Sequence, residues 1–343
     1  MKSIESLVRK NVLALKPYAS ARSQYDGIAS VYLDANENPY NNGLNRYPDP
    51  QQRELKKIIA DRNSLSAEQI VLGNGSDELL DIIIRVFCEP SKDNVIITPP
   101  TFGIYKVLAA TNNVEVREAP LNAKFELNTD DIINLVDDQT KLIFICSPNN
   151  PTGNLIDKAS IKQLLKLNCI IIIDEAYIDF SEEESWSFSL HQYPNLIVCQ
   201  TLSKAWGHAG IRVGMCFASI QITSYLNKIR LPYNLNFLSQ QKAIEVLSSS
   251  NQYKVDVKAI IKEREKLLEA LVLLPIVKQV FPSDANFFLV KFTNALEVYN
   301  FLVKEGIIIR NFSQAKGCEE SMRISVGTPL ENQKLISSLQ KLT

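Results

Sequence analysis

Lys204 is the residue of this sequence with the clearest capacity for covalent chemistry. It lies in TLSKAWGHAGIR (201–212), directly after an apolar run. An apolar setting makes a charged lysine costly and lowers its pKa, which is the property that an amine needs to react with a carbonyl. Thr201, Ser203 and Arg212 add two hydroxyls and a permanent cation, which suit a phosphate. An ordinary surface lysine is the alternative interpretation.

Asp174 and Asn150 also follow apolar runs. Asp174 closes NCIIIID (168–174), where an unpaired buried carboxylate would be costly and requires a cation or a hydrogen-bond donor. A helix cap or a structural ion pair would meet the same need. Asn150 lies in SPNNPTG (147–153), where the Asn-Pro pair presents the side chain outward from a strand end. A plain Asn-Pro turn explains this segment equally well.

The segment GNGSDE (73–78) predicts a tight turn that opens a helix. Free backbone N–H groups at a helix start, aided by the helix dipole, bind anions. The backbone of Gly75, Ser76 and Asp77 is therefore a candidate phosphate site, although such a segment is more often only a turn.

Short apolar runs alternate with segments of helical period over the first two thirds of the chain. The runs span 69–72, 94–98, 114–118, 141–146, 168–174, 195–200 and 213–218. Strands that are apolar on both faces and separated by helices predict a largely parallel sheet covered on two sides, so the fold class is α/β. Ligands bind beyond the carboxyl ends of such strands, and the polar segments above should meet there.

The pattern changes after Pro232. A long charged helix (252–273) precedes the strand-like segments 286–292, 306–310 and 322–327, and a final helix begins at Pro329. This mixture predicts a second, smaller α+β domain. The predicted division is an N-terminal segment that joins the small domain (1–45), a large cofactor-binding domain (46–235) and the small domain (236–343).

The composition restricts the class of partner. The 343 residues include 37 Lys and Arg against 38 Asp and Glu, a net charge of -1 that gives no field for nucleic acid or an anionic membrane. Six cysteines without a C-x-x-C pair indicate buried thiols, and two histidines argue against a histidine-based metal site. The N-terminus has no signal-peptide core, and no apolar stretch approaches the ~20 residues of a membrane span. We expect a cytoplasmic protein with small-molecule partners.

Three segments together resemble the signature of the fold type I aminotransferases. They are NPTG, DEAY, and the S-K pair that is followed by an arginine eight residues after the lysine. The match runs in order through nearly the whole chain. The resemblance implies a large domain with a mostly parallel sheet and a smaller α+β domain. It also implies pyridoxal 5'-phosphate as the cofactor, carried covalently by Lys204, which then moves a proton at the substrate Cα.

The same resemblance assigns the other cofactor contacts. Asp174 should face the pyridine nitrogen and keep it protonated. Asn150 and Tyr177 should hydrogen-bond the phenolic oxygen of the ring, and Tyr105, in PPTFGIYKV, should stack on it. The groups implied for the cofactor phosphate are the backbone of Gly75, Ser76 and Asp77 and the side chains of Thr201, Ser203 and Arg212.

Two further residues are implied to act at the ends of the site. Arg323, in MRISVG, matches an arginine that grips the substrate carboxylate in a bidentate fork. Tyr47, in NRYPDP, matches a tyrosine that reaches the cofactor phosphate of the neighbouring subunit. The second match implies a homodimer with shared active sites.

Segments of the N-terminal half narrow the resemblance to the histidinol-phosphate aminotransferases. These are LKPYASAR (15–22), LDANENP (33–39) and RYPDP (46–50). The implied reaction, part of histidine biosynthesis, converts L-histidinol phosphate and 2-oxoglutarate into imidazole-acetol phosphate and L-glutamate. The residues that match substrate contacts are Tyr18, Asn150, Arg310 and Arg323.

Two other enzymes on the same scaffold stay open as alternatives, an aromatic amino acid aminotransferase and a threonine-phosphate decarboxylase. A non-catalytic sensor domain of a transcription regulator would need a helix-turn-helix segment, for which the enzyme fold leaves no room. The sequence departs from the family at Trp206 and His208, and the stretch 311–320 is less typical of it.

Overall fold

The computed structural model describes residues 3–18, 22, 29–249 and 251–342. Residues 19–21 of the LKPYASAR segment lie outside these ranges.

A seven-stranded sheet forms the centre of the large domain. Its strands are β1 (Ile70–Asn74), β2 (Asn94–Ile97), β3 (Glu115–Glu118), β4 (Thr140–Cys146), β5 (Ile170–Asp174), β6 (Leu196–Thr201) and β7 (Val213–Ala218). The spatial order is β1-β7-β6-β5-β4-β2-β3, in which β7 runs antiparallel to both of its neighbours. The other neighbouring pairs are parallel, so the predicted α/β class is confirmed.

Helices cover both faces of the sheet. They are α1 (Ile4–Leu7), α2 (Lys10–Ala14), α3 (Arg53–Asn63), α4 (Ser76–Phe87), α5 (Ile104–Thr111), α6 (Thr129–Leu135), α7 (Lys158–Leu164), α8 (Ile220–Ile229) and α9 (Phe237–Ser248). Short 3-10 helices span Ala67–Gln69, Ile178–Phe180, Trp186–Ser189 and Ala209–Ile211. Strand β5 shows why its sequence is continuously apolar. Ile171 and Ile173 enter one core, whereas Ile170 and Ile172 enter the core on the opposite face.

The N-terminal helices differ from the prediction that residues 1–45 join the small domain. Ile4 and Leu7 of α1 and Val12 of α2 are buried in the same core as Leu226 of α8, on the large domain. The Arg9 side chain fixes this arrangement through its ion pair with Glu89. These short helices bury their apolar faces where the large domain offers an uncovered apolar surface.

The small domain contains a four-stranded antiparallel sheet in the order β10-β11-β9-β8. Its strands are β8 (Val277–Val280), β9 (Phe287–Phe292), β10 (Arg310–Asn311) and β11 (Ser321–Ser325), and its helices are α10 (Asn251–Val272), α11 (Ala295–Lys304) and α12 (Pro329–Gln340). The sequence analysis missed β8, which is half exposed and has no apolar run. Only the last residue of the strand predicted at 306–310 is in a strand. Within the described ranges, none of the helices combines the length and the apolar character that crossing a membrane requires.

Candidate active site

Strand register brings the predicted site residues to one edge of the large sheet. Cys146, Asp174 and Cys199 are direct neighbours across β4, β5 and β6. Thr201 at the end of β6 pairs with Gly214 near the start of β7, so the loop that carries Lys204 begins and ends at this edge. A cavity of about 180 Å³ opens there. It is lined by Ser76, Asp77, Phe102, Cys146, Asn150, Asp174, Ala176, Tyr177, Thr201, Ser203, Lys204, Arg212 and Arg323.

One end of the cavity is built to hold an anion. Gly75 precedes α4 with a φ of 82°, and its N–H donates to the Arg212 carbonyl at 2.9 Å. This φ lies in the left-handed region that favours glycine, and a Cβ here would also displace the Arg212 guanidinium. The first N–H groups of α4 have no partner within the helix. The hydroxyls of Thr201 and Ser203 lie 3.0 Å apart, and an Arg212 Nη lies 3.6 Å from the Asp77 carboxylate.

Asp174 lies on the wall of this cavity, with only 2% of its surface exposed. Its Oδ2 accepts a hydrogen bond from the Tyr105 hydroxyl at 2.8 Å, and its Oδ1 accepts one from the Ala176 N–H at 3.2 Å. Burial raises the pKa of the Asp174 carboxyl to about 6, and the Tyr105 hydrogen bond opposes that rise. The carboxylate is therefore ionised at neutral pH, and a cationic ligand would stabilise it.

Lys204 has the environment of a nucleophilic amine. Burial lowers the pKa of its ammonium, and the nearby Arg323 cation lowers that pKa further. Its Nζ lies 5.4 Å from the centre of the Tyr177 ring. Tyr177 is itself buried and packs edge-on against Phe287 at 5.0 Å. A fraction of free amine at neutral pH is what attack on a carbonyl requires.

Arg323 brings the small domain to the cavity. Its Nη1 donates to Asn150 Oδ1 at 2.5 Å, which joins β11 to the turn after β4. The guanidinium lies 5.3 Å from the ring centre of Phe287 and 5.8 Å from that of Phe312. This aromatic support leaves the guanidinium edge available for a carboxylate or a phosphate.

Five of the predicted residues are not among those that line the cavity, namely Gly75, Tyr105, Arg310, Tyr47 and Tyr18. Arg310 pairs with Arg323 across β10 and β11 and faces an adjoining groove of about 890 Å³. Tyr47 is 52% exposed and stacks on Tyr233 at 4.5 Å. Tyr18 is 76% exposed and borders a different groove, next to Lys56 and other residues. The chain on its own does not bring Tyr18 or Tyr47 to Lys204.

The aromatic residue that the PPTFGIY segment places on the cavity wall is Phe102 and not Tyr105. The Tyr105 ring is fully buried, stacked on Phe144 at 5.0 Å, and it cannot stack on a ring bound in the cavity. The sequence analysis missed Phe102, which lies three residues earlier in PPTFGIY. A usable signal existed, because β2 is parallel to β4 and the PPTF segment follows its carboxyl end at the same edge.

The unusual Trp206 has a packing role in the lysine loop. Its ring stacks on Tyr253 of α10 at 3.8 Å, and the Arg62 guanidinium lies 4.8 Å from the ring centre. The imidazole of His208 contacts the Trp206 carbonyl. These contacts hold the segment around Lys204 against α3 and α10.

The donor groups of the cavity fit pyridoxal phosphate. The α4 N-terminus, the two hydroxyls and Arg212 form a cradle for a phosphate, which Gly75 keeps open. Asp174 offers a buried carboxylate to a ring nitrogen, and Lys204 offers an amine of lowered pKa to an aldehyde. Among the described residues, no group of three or more His, Cys, Asp or Glu side chains could hold a metal ion.

Comparison with known proteins gives consistent results. Residues 22–339 match the family described as aminotransferase class I and II. The chain is 49% identical to the histidinol-phosphate aminotransferase of Flavobacterium psychrophilum, with 99% of each chain covered. It is 51% identical to the histidinol-phosphate aminotransferase of Bacteroides fragilis, again with 99% of each covered.

Solved structures share the fold. The histidinol-phosphate aminotransferase from Clostridium acetobutylicum has a TM-score of 0.81 at 29% identity, covering 87% of this chain and 91% of the other. The L-threonine-O-3-phosphate decarboxylase from Porphyromonas gingivalis has a TM-score of 0.74 at 25% identity, covering 87% and 90%.

Proposed function

This chain belongs to the aminotransferase class I and II family, and we propose that it transfers an amino group reversibly between L-histidinol phosphate and 2-oxoglutarate. The products are imidazole-acetol phosphate and L-glutamate, and the reaction is a step of histidine biosynthesis. The observation that carries the proposal is the identity of about half of all residues, over 99% of both chains, with histidinol-phosphate aminotransferases.

Pyridoxal phosphate, when bound, supplies the electron sink that makes loss of the substrate Cα proton feasible. Arg212, Thr201, Ser203 and the α4 N-terminus hold its phosphate. Lys204 would hold it covalently and would move the proton at the substrate Cα. Burial and the Arg323 charge lower the pKa of Lys204, which favours the unprotonated amine that this task needs.

Asp174, Asn150 and Tyr177 orient and polarise the ring. The Asp174 carboxylate would hold the pyridine nitrogen and keep a proton there, because an ionised carboxylate buried this deeply is stabilised by a cation. Asn150 and Tyr177 would hydrogen-bond the phenolic oxygen. The Asn150 carbonyl oxygen already accepts from Arg323, which leaves its amide N–H groups as the donors.

Arg323 can bind the anionic group of either amino substrate. Glutamate presents a carboxylate near the amino group, and histidinol phosphate presents a phosphate and no carboxylate. A guanidinium binds either anion through paired hydrogen bonds. Arg310 lies in the adjoining groove on the neighbouring strand and adds a second cation for the anion of the substrate. Tyr18 matches a substrate contact of the family. Since it does not reach the cavity within one chain, this role would require a second subunit.

A spectral titration tests the substrate. L-Histidinol phosphate should convert the bound cofactor to its amino form at lower concentration than L-phenylalanine does, and 2-oxoglutarate should restore the starting spectrum. The similarity to a threonine-phosphate decarboxylase supports one rival. Release of carbon dioxide from L-threonine O-3-phosphate, without any requirement for 2-oxoglutarate, would establish that rival and contradict the proposal.

The active protein is proposed to be a cytoplasmic homodimer with shared sites. Tyr47 lies on the surface beside Tyr233, Phe237 and Leu238, which together form an exposed apolar patch. Prolines at 48 and 50 stiffen the segment, so the tyrosine is presented in a defined position. The Tyr47 hydroxyl should bond the cofactor phosphate of the partner subunit. The six buried thiols fit a reducing compartment.

A further inference from the structure

We propose that Tyr105 is a positioning residue that fixes the Asp174 carboxylate and governs how the proton is shared between Asp174 and the pyridine nitrogen. This inference rests on the proposed use of pyridoxal phosphate by this site. It replaces the ring-stacking role that the resemblance implies for Tyr105.

The Tyr105 hydroxyl has two polar neighbours, the Asp174 carboxylate and the Cys146 thiol. Its ring is fully buried, stacked on Phe144 at 5.0 Å and edge-on to Phe102 at 5.7 Å. The hydroxyl donates to Asp174 Oδ2 at 2.8 Å. Because both side chains are buried, water cannot take over this hydrogen bond if the hydroxyl is removed.

The hydrogen bond fixes the direction in which Asp174 faces. Tyr105 holds Oδ2 from α5, and the Ala176 N–H holds Oδ1 from the segment after β5. Each oxygen is therefore held from a different element, and the carboxylate cannot rotate freely. Each oxygen keeps a further lone pair, and one of them remains for the ring nitrogen of a ligand in the cavity.

The same hydrogen bond stabilises the ionised form of Asp174. Burial raises the pKa of the carboxyl to about 6, and the Tyr105 hydrogen bond opposes this rise. Six titratable groups interact with Asp174 through charge or hydrogen bonding. They are Asp77 of α4, Tyr105 of α5, Cys146 of β4, Tyr177, Cys199 of β6 and Lys204. Among them, Tyr105 and Lys204 favour the carboxylate, and Tyr105 does so by direct donation.

Loss of the hydroxyl should therefore make Asp174 a stronger base. A proton shared between Asp174 and the pyridine nitrogen would then move toward the carboxyl oxygen. A less protonated ring is a weaker electron sink, so proton removal from the substrate Cα would slow down. A tyrosine that served packing alone would produce none of these changes.

The test uses the Tyr105→Phe holoenzyme reconstituted with pyridoxal phosphate that carries 15N in the ring. The 15N chemical shift should move from the value of the protonated ring toward that of the unprotonated ring. The half-reaction with L-histidinol phosphate should slow about tenfold or more, the loss expected for a hydrogen bond to a charged group, while KM changes less than about threefold. Tyr193→Phe removes a hydroxyl from a large-domain tyrosine outside the cavity and should leave the 15N shift unchanged.

Two outcomes would overturn the proposal. An unchanged 15N shift in Tyr105→Phe, whatever happens to stability, would leave Tyr105 as a packing residue. If that variant does not fold, 3-fluorotyrosine at position 105 keeps the ring and makes the hydroxyl a stronger donor. It should raise the pH at which the ring nitrogen loses its proton, read from the 15N shift across a pH titration, and an unchanged midpoint would again reject the role. The shift needs no amino substrate, so failure here is distinct from failure of the substrate assignment.

Discussion

Arg323 and Asn150 are joined by a hydrogen bond of 2.5 Å that crosses from the small domain to the large one. Arg323 comes from the central part of β11, and Asn150 from the turn that follows β4. The bond places the substrate-binding guanidinium and a cofactor-binding amide in one unit. Relative movement of the two domains would therefore change the substrate site and the cofactor site together.

We expect Arg323→Gln to raise the KM for L-glutamate about tenfold to a hundredfold, because a charge-assisted contact with the carboxylate is lost. Steady-state kinetics at saturating pyridoxal phosphate measure this. Lys291→Gln is the control, since it removes a positive charge from β9, the strand on the other side of β11, at a position outside the cavity wall. Equal effects of the two variants on glutamate would contradict the specific role of Arg323.

Reduction of the holoenzyme with borohydride should fix the cofactor on Lys204 alone, and peptide mass mapping identifies the site. Lys56 is the informative comparison, because burial lowers the pKa of this second lysine to about 8. Lys56→Ala should retain full labelling, and Lys204→Ala should abolish labelling and transamination while the fold is kept. Cofactor recovered on Lys56, or on any other lysine, would show that the assignment is wrong.

Asp174→Asn should abolish most activity and yet stabilise the cofactor-free protein at neutral pH. Folding raises the pKa of Asp174 from 3.8 to about 6. Between pH 3.8 and about 6, the carboxyl is therefore largely protonated in the native state and largely ionised in the unfolded state. The contribution of Asp174 to stability is therefore present below pH ~4 and is lost as the pH rises through ~6.

The asparagine variant has no such ionisation. Its free energy of unfolding relative to the wild type should increase by about 3 kcal/mol between pH 4 and pH 7, as urea unfolding at both pH values would measure. The same substitution at Asp130, an exposed residue in the first turn of α6, should give no comparable trend. A pH-independent difference for Asp174→Asn would mean that its carboxyl titrates alike in both states.

Phe102→Ala should weaken retention of pyridoxal phosphate about threefold to tenfold, the range expected for a lost aromatic contact. Equilibrium dialysis of the holoenzyme measures this affinity. Phe102→Tyr keeps an aromatic ring and should retain the cofactor as the wild type does. If Phe102→Ala binds the cofactor with unchanged affinity, Phe102 does not contact the ring.

Mixing Tyr47→Ala chains with Lys204→Ala chains should restore activity that neither variant has alone. In a heterodimer the Lys204 site of the first chain receives an intact Tyr47 from the second. Equal mixing makes about half of the dimers heterodimers, each with one complete site, so about a quarter of the wild-type activity should return. The control adds Arg212→Ala to the Tyr47→Ala chain, which leaves no complete site. No recovery in the first mixture, or an active monomer, would reject the shared site.

The sequence by itself determined the alternation of strands and helices in the large domain and most of the cavity. Runs such as IIIID are apolar on both faces because both are buried, and the parallel strands β4, β5 and β6 end at one edge. Polar residues placed just after those runs therefore meet in space. The sequence therefore predicts that Asn150, Asp174, Lys204 and Arg212 lie together, as they do in the cavity.

Other features were decided only by the tertiary structure. Phe102 and Tyr105 are three residues apart, and which ring faces the cavity depends on how the first turn of α5 packs against β4. The position of α1 and α2 depends on which apolar surface the rest of the chain leaves uncovered. Such choices are made by packing between distant segments, and a local pattern of residues carries no information about the distant partner.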